Sequence, residues 1–532
     1  MEERIDVPVE ELAEDIRLNV VDVEDFNARV VGAYNDGSAE KGLEADDAVA
    51  RSIIPAATGA LRDFSYIAPD IPEFITENCV GCMDCVTECP DTAILGKVIE
   101  PAILEERLAG IPNEQERATM GAQWGITNKY FTVLEKKNPG NGGKFGIFID
   151  PSKCKGCAEC VDACGDHNAL KMVAKTDENM QWYKNAFAFY RSMPETPKKF
   201  INEKALADMM LAERSLLYVG GAGSCMGCGE ATALRMMLAA TGFVYGRENI
   251  GIVAATGCNT VYTSTYPYNP YQVAWTNSLF ENAPAVAMGV RARWDSQSWQ
   301  KKRLWIIGGD GAMNDIGFQS LSRMLASGMD IKVIVLDTQV YSNTGGQTST
   351  SSFKGQDAKM SFHGKVIQGK KENRKELATI CMMHKDVYVA QTTCSHVNHF
   401  YKAIMESNEY PGPAIVNVFT TCQPEHGVGD NMAEHQAKLA ADSRSFPVFI
   451  YDPRKGSKIK ERLSLAGNPN VKEDWYVNPK TGEPVDFITF ARSEGRFAKH
   501  FDKEGNPSAV LLSTKQERLE NWHILQELAG IR

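Results

Sequence analysis

Residues 304–346 read LWIIGGDGAMNDIGFQSLSRMLASGMDIKVIVLDTQVYSNTGG and contain the signals that decide the fold. Two short apolar runs, 304–308 and 331–336, flank a pattern at 316–325 that is typical of a helix. Strands with continuous apolar character are buried on both faces, as in parallel sheets. Comparable apolar runs recur elsewhere in the chain, at 250–255, 387–390 and 414–419. The sequence therefore predicts an α/β fold with a doubly wound, mostly parallel sheet covered by helices on both faces.

Polar residues follow both strands of this stretch. Asp310 lies in a Gly-Asp-Gly turn after the first strand, and Thr338 follows the second strand, 28 residues further on. Glycines let the backbone approach a phosphate, and a helix N-terminus offers N–H groups to it. A carboxylate and a hydroxyl are oxygen ligands that suit Mg²⁺. Asp-Gly alone is a common turn, but the pair at two strand ends predicts a diphosphate anchored through Mg²⁺.

Length and composition exclude several classes of protein. A chain of 532 residues is too long for one hydrophobic core, so two or three domains are expected. With 43% hydrophobic and 23% charged residues, a disordered or collagen-like chain is excluded. No apolar stretch approaches the about 20 residues that span a membrane, and the N-terminus has no signal-peptide pattern. We therefore expect a cytoplasmic protein without membrane partners.

The negative charge is concentrated at the N-terminus. Residues 1–50 contain 15 acidic and 4 basic side chains, whereas the remainder contains 53 of each. An acidic head repels nucleic acid, and the balanced remainder does not attract it. We expect no nucleic-acid partner, and we interpret residues 1–65 as a solvated or partner-covering acidic arm.

Eight of the fourteen cysteines form two runs with the spacing C-x2-C-x2-C-x3-C. This is the spacing of bacterial ferredoxins, in which the fourth cysteine of each run binds the cluster of the other run. The alternative, structural zinc, uses paired C-x2-C knuckles and has no use for a third cysteine at this distance. Gly165 replaces the proline that follows the first run at Pro90. The predicted ligand sets are Cys79, Cys82, Cys85 and Cys164 for one [4Fe–4S] cluster, and Cys154, Cys157, Cys160 and Cys89 for the other.

Four of the remaining cysteines lie in loops that could meet at one edge of the predicted sheet. Cys225 and Cys228 form a knuckle in a glycine-rich loop, and Cys258 and Cys422 each follow a strand. Spacing alone leaves two interpretations open, a third four-thiolate site or isolated core thiols. Cys381 and Cys394 are most simply buried small residues.

These motifs together resemble the pyruvate:ferredoxin oxidoreductases, within the 2-oxoacid:ferredoxin oxidoreductases. The resemblance covers roughly residues 66–450. It rests on the double ferredoxin motif and on five further segments: Cys225-Met-Gly-Cys228-Gly-Glu230, Thr256-Gly-Cys258, Gly309-Asp-Gly311, 336–347 (LDTQVYSNTGGQ) and Thr421-Cys422.

The resemblance implies the cofactors and their ligands residue by residue. It implies three [4Fe–4S] clusters, the third being a proximal cluster on Cys225, Cys228, Cys258 and Cys422. It implies Mg²⁺ on Asp310, Thr338 and the main-chain oxygen of Val340. It implies catalytic roles for Cys258 and for Asn343, next to the reacting end of the cofactor. Thiamine diphosphate is implied to contact Glu230, Cys258, Gly309, Asp310, Gly311, Ala312, Thr338, Gln339, Val340, Tyr341, Ser342 and Asn343.

The implied activity is the coenzyme A-dependent oxidative decarboxylation of pyruvate to acetyl-CoA and CO2, in either direction, with electrons passed through the clusters to ferredoxin or flavodoxin. Three alternatives stay open: the same chemistry on 2-oxoisovalerate or 2-oxoglutarate, an electron-transfer module without catalysis, and a non-redox thiamine enzyme such as an acetolactate synthase. His426 beside Glu425 is a candidate acid–base pair, although a histidine in a structural role is more common.

The family's other half does not align with this sequence. We therefore expect a second subunit that carries the pyrimidine-binding and coenzyme A-binding domains. The expected domains are an acidic arm at 1–65, a 2[4Fe–4S] ferredoxin-like domain at 66–175 with an insert at about 96–146, a thiamine diphosphate-binding domain at 176–450, and a C-terminal extension at 451–532 in which we identify no chemistry.

Overall fold

A computed structural model describes residues 22–532, apart from Lys365 and the side chain of Asp47. The first third of the predicted acidic arm, residues 1–21, lies outside the described residues. No helix in the described part of the chain is long and apolar enough to cross a membrane. The strands, numbered in chain order, are β1 (Asp70–Phe74), β2 (Ile94–Ile99), β3 (Trp124–Gly125), β4 (Lys144–Ile149), β5 (Leu170–Ala174), β6 (Ile250–Ala255), β7 (Ala274–Ser278), β8 (Arg303–Gly309), β9 (Lys332–Asp337), β10 (Phe362–His363), β11 (Gln368–Gly369), β12 (Tyr388–Thr393), β13 (Ala414–Phe419), β14 (Phe449–Tyr451), β15 (Leu463–Ser464), β16 (Tyr476–Val477) and β17 (Pro484–Val485).

The helices are mostly short; Gly229–Tyr245, Ala283–Ser296 and Val397–Glu409 pack on the main sheet, whereas Asp177–Ser192 packs on β4. The α-helices are Val23–Asp25, Gly32–Asp36, Ala39–Gly42, Asp47–Ala50, Asp84–Thr87, Pro101–Ala109, Glu114–Ala122, Val133–Lys137, Glu159–Cys164, Asp177–Ser192, Leu206–Met209, Gly229–Tyr245, Cys258–Thr263, Ala283–Ser296, Phe318–Leu325, Leu377–Cys381, Val397–Glu409, Gln423–His426, Ala433–Asp442, Ile459–Arg462, Phe487–Arg492 and Ala509–Leu528. Wider π-helical turns cover Phe26–Val31, Asn128–Thr132 and Gly311–Ile316.

The main sheet has eight strands in the order β15-β14-β12-β13-β9-β8-β6-β7. The six strands from β12 to β7 are parallel, and β14 and β15 add an antiparallel edge. This confirms the predicted α/β fold with a mostly parallel sheet. All five predicted strands are present within two residues at either end, except that β12 continues to Thr393. The edge strand β7 was not predicted, because its sequence AWTNS is half polar and partly exposed.

Both faces of the sheet are covered by helices, and the side chains of each strand alternate between two cores. On one face Ile252 and Ile307 pack against helices Gly229–Tyr245 and Val397–Glu409. On the other face Val253 packs with helices Ala283–Ser296 and Phe318–Leu325. Successive side chains of a strand point to opposite faces, so a continuous apolar run fills both cores. The doubly wound arrangement follows directly from the sequence pattern.

The cysteine-rich region contains two small antiparallel sheets, β1-β5 and β2-β4-β3. β2 pairs with β4 along its whole length, so the predicted insert at 96–146 is closed at its base by a two-stranded ladder. Met83 and Val86 of this region share a core with Met236 of the long helix Gly229–Tyr245. The cysteine-rich region is therefore packed onto the main sheet unit through one continuous hydrophobic core.

The C-terminal extension is part of the main fold. β14 and β15 complete the sheet, and Phe487, Phe490 and Phe497 surround Phe353. Trp522 is fully buried, its Nε1 donates to the carbonyl of Glu473 (2.9 Å), and the Arg444 guanidinium lies 4.2 Å from its ring centroid.

Replacing Trp522 by alanine should remove this anchor and destabilise the protein by about 3–5 kcal/mol, since a large buried ring leaves a cavity. The control is Leu512→Ala on the same helix, because Leu512 is half exposed and should cost little. The midpoints of urea denaturation measure both effects. Equal midpoints for the two variants would contradict this role for Trp522.

Candidate active site

A cavity opens where β6, β8 and β9 end, at the carboxyl edge of the sheet, and we call it the GDG cavity. Loops after parallel strands emerge on one edge, so the turn after β8 and the loop after β9 face each other. Residues that the sequence analysis did not select, Thr256, Gly257, Phe280 and Thr344, complete its wall. The predicted site residues that line it are Glu230, Cys258, Gly309, Asp310, Gly311, Ala312, Val340, Tyr341, Ser342 and Asn343.

The three predicted oxygen ligands of Mg²⁺ lie together: Asp310 and Val340 line this cavity, and Thr338 contacts both of them. The Thr338 N–H and hydroxyl both lie 3.2 Å from Asp310 Oδ1, and the same hydroxyl lies 3.1 Å from the carbonyl oxygen of Val340. Ser349 donates to Asp310 Oδ2 at 2.5 Å. Burial, together with the nearby Asp337 carboxylate, raises the pKa of Asp310 well above its usual value. A divalent cation would stabilise this carboxylate, so the donor set fits Mg²⁺.

Gly311 is needed for the shape of the cavity. A Cβ at this position would lie 2.4 Å from the Tyr341 ring, so a side chain would push the two loops apart. Its backbone begins the π-helical turn Gly311–Ile316, and Gly311 and Ala312 at the start of this turn line the cavity. The turn therefore fits the close approach of a phosphate that the sequence predicts.

Gln339, which the resemblance implies as a cofactor contact, does not line the GDG cavity. Its backbone has a φ of 58°, in the left-handed region, and its side chain points into the protein. Its Nε2 donates to the carbonyl of Asp337, and its Oε1 accepts from Arg496 Nη2 at 3.1 Å. The side chain does not line the cavity, because buried polar partners behind the loop hold it.

A second cavity of about 250 Å³ adjoins the first, and we call it the four-cysteine cavity. It is lined by Cys225, Cys228, Cys258 and Cys422, which are brought together from three separate segments of the chain. The two cavities share part of their walls, and the Cys258 Sγ lies 3.4 Å from the Ser342 Oγ at the junction. Burial raises the pKa of Cys422 to about 12, so binding of a metal centre would have to release protons from these thiols. The shared residues are Glu230, Cys258, Ser342 and Asn343.

Glu230 is a buried carboxyl group between the two cavities. Its Oε2 is inaccessible to water and has no hydrogen-bond partner in the protein, and burial raises its pKa to about 8. A buried polar atom without a partner is costly. A bound group that offers a positive charge or a donor would satisfy it, and the thiazolium of thiamine is such a cation.

The two ferredoxin-type runs form two further cavities, which match the crosswise pairing predicted from the spacing. A cavity beside β1 is lined by the first three cysteines of the first run and the last of the second, and the other cavity has the reverse composition. Burial raises the pKa of Cys79 to about 11 and that of Cys154 to about 12. The ligand sets are Cys79, Cys82, Cys85 and Cys164 around one cavity, and Cys89, Cys154, Cys157 and Cys160 around the other.

The thiols surround each cavity instead of converging on one point. Within residues 22–532, Lys365 excepted, no group of three or more His, Cys, Asp or Glu side chains is arranged to hold a single metal ion. Zinc requires four ligands at about 2.3 Å from one centre, whereas a [4Fe–4S] cluster binds its thiolates at separate corners. The arrangement therefore fits iron–sulfur clusters better than the zinc alternative.

Lys155 connects the second cysteine run to the four-cysteine cavity. Its buried Nζ forms an ion pair with Asp91 (2.7 Å) and donates to the carbonyl oxygens of Ala222 and Ser224, both at 2.9 Å. Ser224 precedes Cys225, so this side chain joins the two cysteine sites directly. Cys79 and Cys82 of the first run are partly exposed, and Cys225 of the four-cysteine cavity is exposed. The four-cysteine cavity and the second cysteine run are thus neighbours.

His426 and Glu425 do not form an acid–base pair in the cavities. His426 is fully buried, and its Nε2 donates to the carbonyl of Thr338 at 2.8 Å. Glu425 lies against Gly346 instead. Burial lowers the pKa of His426 well below its usual value. The neutral ring therefore makes a structural contact with the Thr338–Val340 loop, which we call the metal loop.

The comparisons with known proteins agree with this geometry. Residues 255–418 match the family described as "Thiamine pyrophosphate enzyme, C-terminal TPP binding domain". The chain is 27% identical over 475 residues to the probable pyruvate-flavodoxin oxidoreductase of Escherichia coli (strain K12), covering 76% of this chain and 38% of that protein. It is 26% identical over 545 residues to pyruvate-flavodoxin oxidoreductase of Rhodospirillum rubrum, covering 87% and 42%. It is 28% identical over 483 residues to pyruvate:ferredoxin oxidoreductase of Moorella thermoacetica, covering 75% and 38%.

Residues 255–418 are thus a thiamine diphosphate-binding domain. The resemblance to the pyruvate:ferredoxin and pyruvate-flavodoxin oxidoreductases is confirmed over most of the sequence. The chain spans about two fifths of the length of these relatives.

The crosswise pairing predicts which cysteine variants behave alike. Cys82→Ala and Cys164→Ala should damage the same cluster although they lie in different runs, and each should lower the iron content by up to about four ions per chain. Electron paramagnetic resonance of the dithionite-reduced, anaerobically prepared protein identifies the lost signal. Cys381→Ala is the control, because Cys381 is buried away from these cavities. Loss of different signals in the two variants would refute the crosswise pairing.

Proposed function

We propose that this chain is the thiamine diphosphate-binding and electron-transferring part of a pyruvate:ferredoxin oxidoreductase. In this proposal the assembled enzyme decarboxylates pyruvate oxidatively with coenzyme A, forming acetyl-CoA and CO2, and passes electrons to ferredoxin or flavodoxin. The names of the relatives, which are pyruvate-flavodoxin and pyruvate:ferredoxin oxidoreductases, favour pyruvate over 2-oxoisovalerate and 2-oxoglutarate.

One observation carries the proposal: the GDG cavity and the four-cysteine cavity share a wall. A cofactor in the first cavity would lie beside a metal centre in the second, with Cys258 and Asn343 contributing to both. A thiamine enzyme without redox chemistry has no need of four thiols at this position. An electron carrier without catalysis has no need of a buried carboxylate and hydroxyl arranged for Mg²⁺.

Each group of residues has a defined task in this proposal. Asp310, Thr338 and the Val340 carbonyl would hold Mg²⁺, and the backbone of Gly309–Ala312 would hold the diphosphate. Asn343 and Glu230 would face the reacting end of the cofactor and exclude water from it. When bound, thiamine diphosphate supplies the carbanion chemistry of decarboxylation, and [4Fe–4S] clusters supply one-electron acceptors.

In this proposal the three cysteine sites carry electrons from the cofactor to the protein surface. Cys225, Cys228, Cys258 and Cys422 would hold the cluster nearest the cofactor. Lys155 links that site to the set that contains Cys154, and the set with Cys79 and Cys82 reaches the surface. Ferredoxin or flavodoxin would accept electrons at this partly exposed end.

The region that these relatives have and this chain does not span is assigned to a second subunit in the proposal. That subunit would carry the pyrimidine-binding and coenzyme A-binding domains, and the acidic arm at 1–65 would face it. The chain alone, reconstituted with iron and sulfide, is then expected to bind iron but not to turn over any 2-oxoacid. Turnover by the isolated chain would refute the need for a second subunit.

Replacing Asp310 by asparagine should abolish thiamine diphosphate binding, or weaken it by at least tenfold, because the metal loses its charged ligand. Cofactor stoichiometry in denatured extracts of the assembled complex and calorimetric titration with Mg²⁺ present measure this loss. Asp330→Asn is the control, since Asp330 lies at the opposite end of β9. An unchanged stoichiometry in Asp310→Asn would contradict the metal assignment, and a wild-type complex without the cofactor would leave only an electron-transfer module.

Substrate choice is tested by steady-state rates of the assembled complex with pyruvate, 2-oxoisovalerate and 2-oxoglutarate, using a viologen dye as electron acceptor. Pyruvate should give the highest kcat/KM. A higher value with either of the other two acids would overturn the choice of pyruvate but would leave the cofactor chemistry intact.

A further inference from the structure

Four fully buried polar side chains lie behind the metal loop, and we call them the Arg496 network: Gln339, His426, Glu494 and Arg496. Glu494 and Arg496 belong to the C-terminal extension, outside the matched domain at 255–418. Neither lines the GDG cavity or the four-cysteine cavity. Neither the cysteine motifs nor the Gly-Asp-Gly motif predicts a role for Glu494 or Arg496.

The Arg496 network forms hydrogen bonds with two adjacent residues of the metal loop, Thr338 and Gln339. His426 Nε2 donates to the carbonyl oxygen of Thr338 at 2.8 Å, and Arg496 Nη2 donates to Gln339 Oε1 at 3.1 Å. Glu494 orients Arg496, because its Oε2 accepts from Arg496 Nε at 2.5 Å. Its Oε1 lies 3.6 Å from His426 Nδ1, beyond hydrogen-bond distance, so these two side chains pack together without a hydrogen bond. The Thr338 carbonyl and the Gln339 amide are thus held by two neighbouring contacts.

The same loop faces the metal site on its other side. The Thr338 hydroxyl points towards Asp310 and the Val340 carbonyl, at 3.2 and 3.1 Å. Between Thr338 and Val340 the backbone of Gln339 has a φ of 58°, a conformation that a residue with a side chain rarely adopts. Strained backbone persists only where the surroundings fix it. Arg496 contributes to this constraint, together with the Ser352 hydroxyl (2.5 Å) and Gln356 Nε2 (3.0 Å), which both donate to the Gln339 carbonyl.

Aromatic packing holds the network in place. The Arg496 guanidinium lies 5.4 to 5.8 Å from the ring centroids of Phe353, Phe490 and Phe497. Phe490 and Phe497 belong to the C-terminal extension, and Phe353 lies in the segment after the metal loop. A guanidinium enclosed in this way keeps its fork oriented towards both Glu494 and Gln339.

We propose that Glu494 and Arg496 are positioning residues, which hold the Thr338–Val340 loop in the geometry that binds Mg²⁺ and the diphosphate. This inference rests on the proposed function. Residues that orient metal ligands from behind typically contribute 10- to 100-fold, as a rough range, to metal affinity. The C-terminal extension thereby contributes to a site that it does not touch.

The test uses Arg496→Met in the assembled complex. We expect the Mg²⁺ concentration for half-maximal thiamine diphosphate binding to rise about 10- to 100-fold. The turnover number at saturating Mg²⁺ should stay near the wild-type value, because the chemistry of the cavity is intact. Iron content and the paramagnetic signals of the reduced clusters should not change.

Arg444→Met is the matched control. Arg444 is equally buried and stacks on Trp522, but its hydrogen bonds go to the carbonyls of Pro469 and Asn470, away from the metal loop. It should lower the thermal midpoint as Arg496→Met does, without changing the Mg²⁺ dependence. If Arg496→Met does not fold, Arg496→Lys keeps the charge but cannot contact Glu494 and Gln339 together, and should show a smaller shift in the same direction.

Two results would overturn the inference: a wild-type Mg²⁺ dependence in the folded Arg496 variant, or an equal shift in Arg444→Met. A wild-type complex that binds no thiamine diphosphate would instead refute the proposed function. The two failures are therefore distinguishable by the behaviour of the wild-type protein.

Discussion

A buried carboxylate without a cationic partner determines the chemistry of this site. Asp337 and Asp310 lie at the ends of neighbouring strands, and both are removed from water. Arg374 neutralises Asp337 through a contact of 2.5 Å, whereas Asp310 receives only neutral donors from Thr338 and Ser349. A buried charge requires a counter-charge, and a bound metal ion would supply the counter-charge of Asp310. The loops, the glycine turn and the cavity are arranged around this requirement.

The sequence predicts well where a physical pattern is local. Continuous apolar runs place the central strands, because such runs fill both cores, and the cysteine spacing predicts the crosswise sets that line two cavities. It predicts poorly where tertiary contacts decide. The half-polar β7 is a strand only because it pairs with β6, and the Gln339 side chain turns inward, where Arg496, more than 150 residues later, donates to its Oε1. No local signal marks either outcome.

The two cores also explain how a cysteine-rich region and a parallel sheet act as one body. The long helix Gly229–Tyr245 begins just after Cys228 and packs along its length against both the sheet and the first cysteine run. Its Arg235 donates to the carbonyls of Val86 and Thr87, inside that run. The cysteine cavities and the GDG cavity are therefore fixed relative to one another by side-chain packing.

The crosswise arrangement of the two cysteine runs has a consequence for assembly and damage. Each run contributes to the walls of both cavities, three cysteines to one and the fourth to the other. Both cavities therefore take shape only when the two runs are folded against each other, and a displacement of either run would alter both. The loss of a single thiol, in contrast, removes a ligand from only one of them.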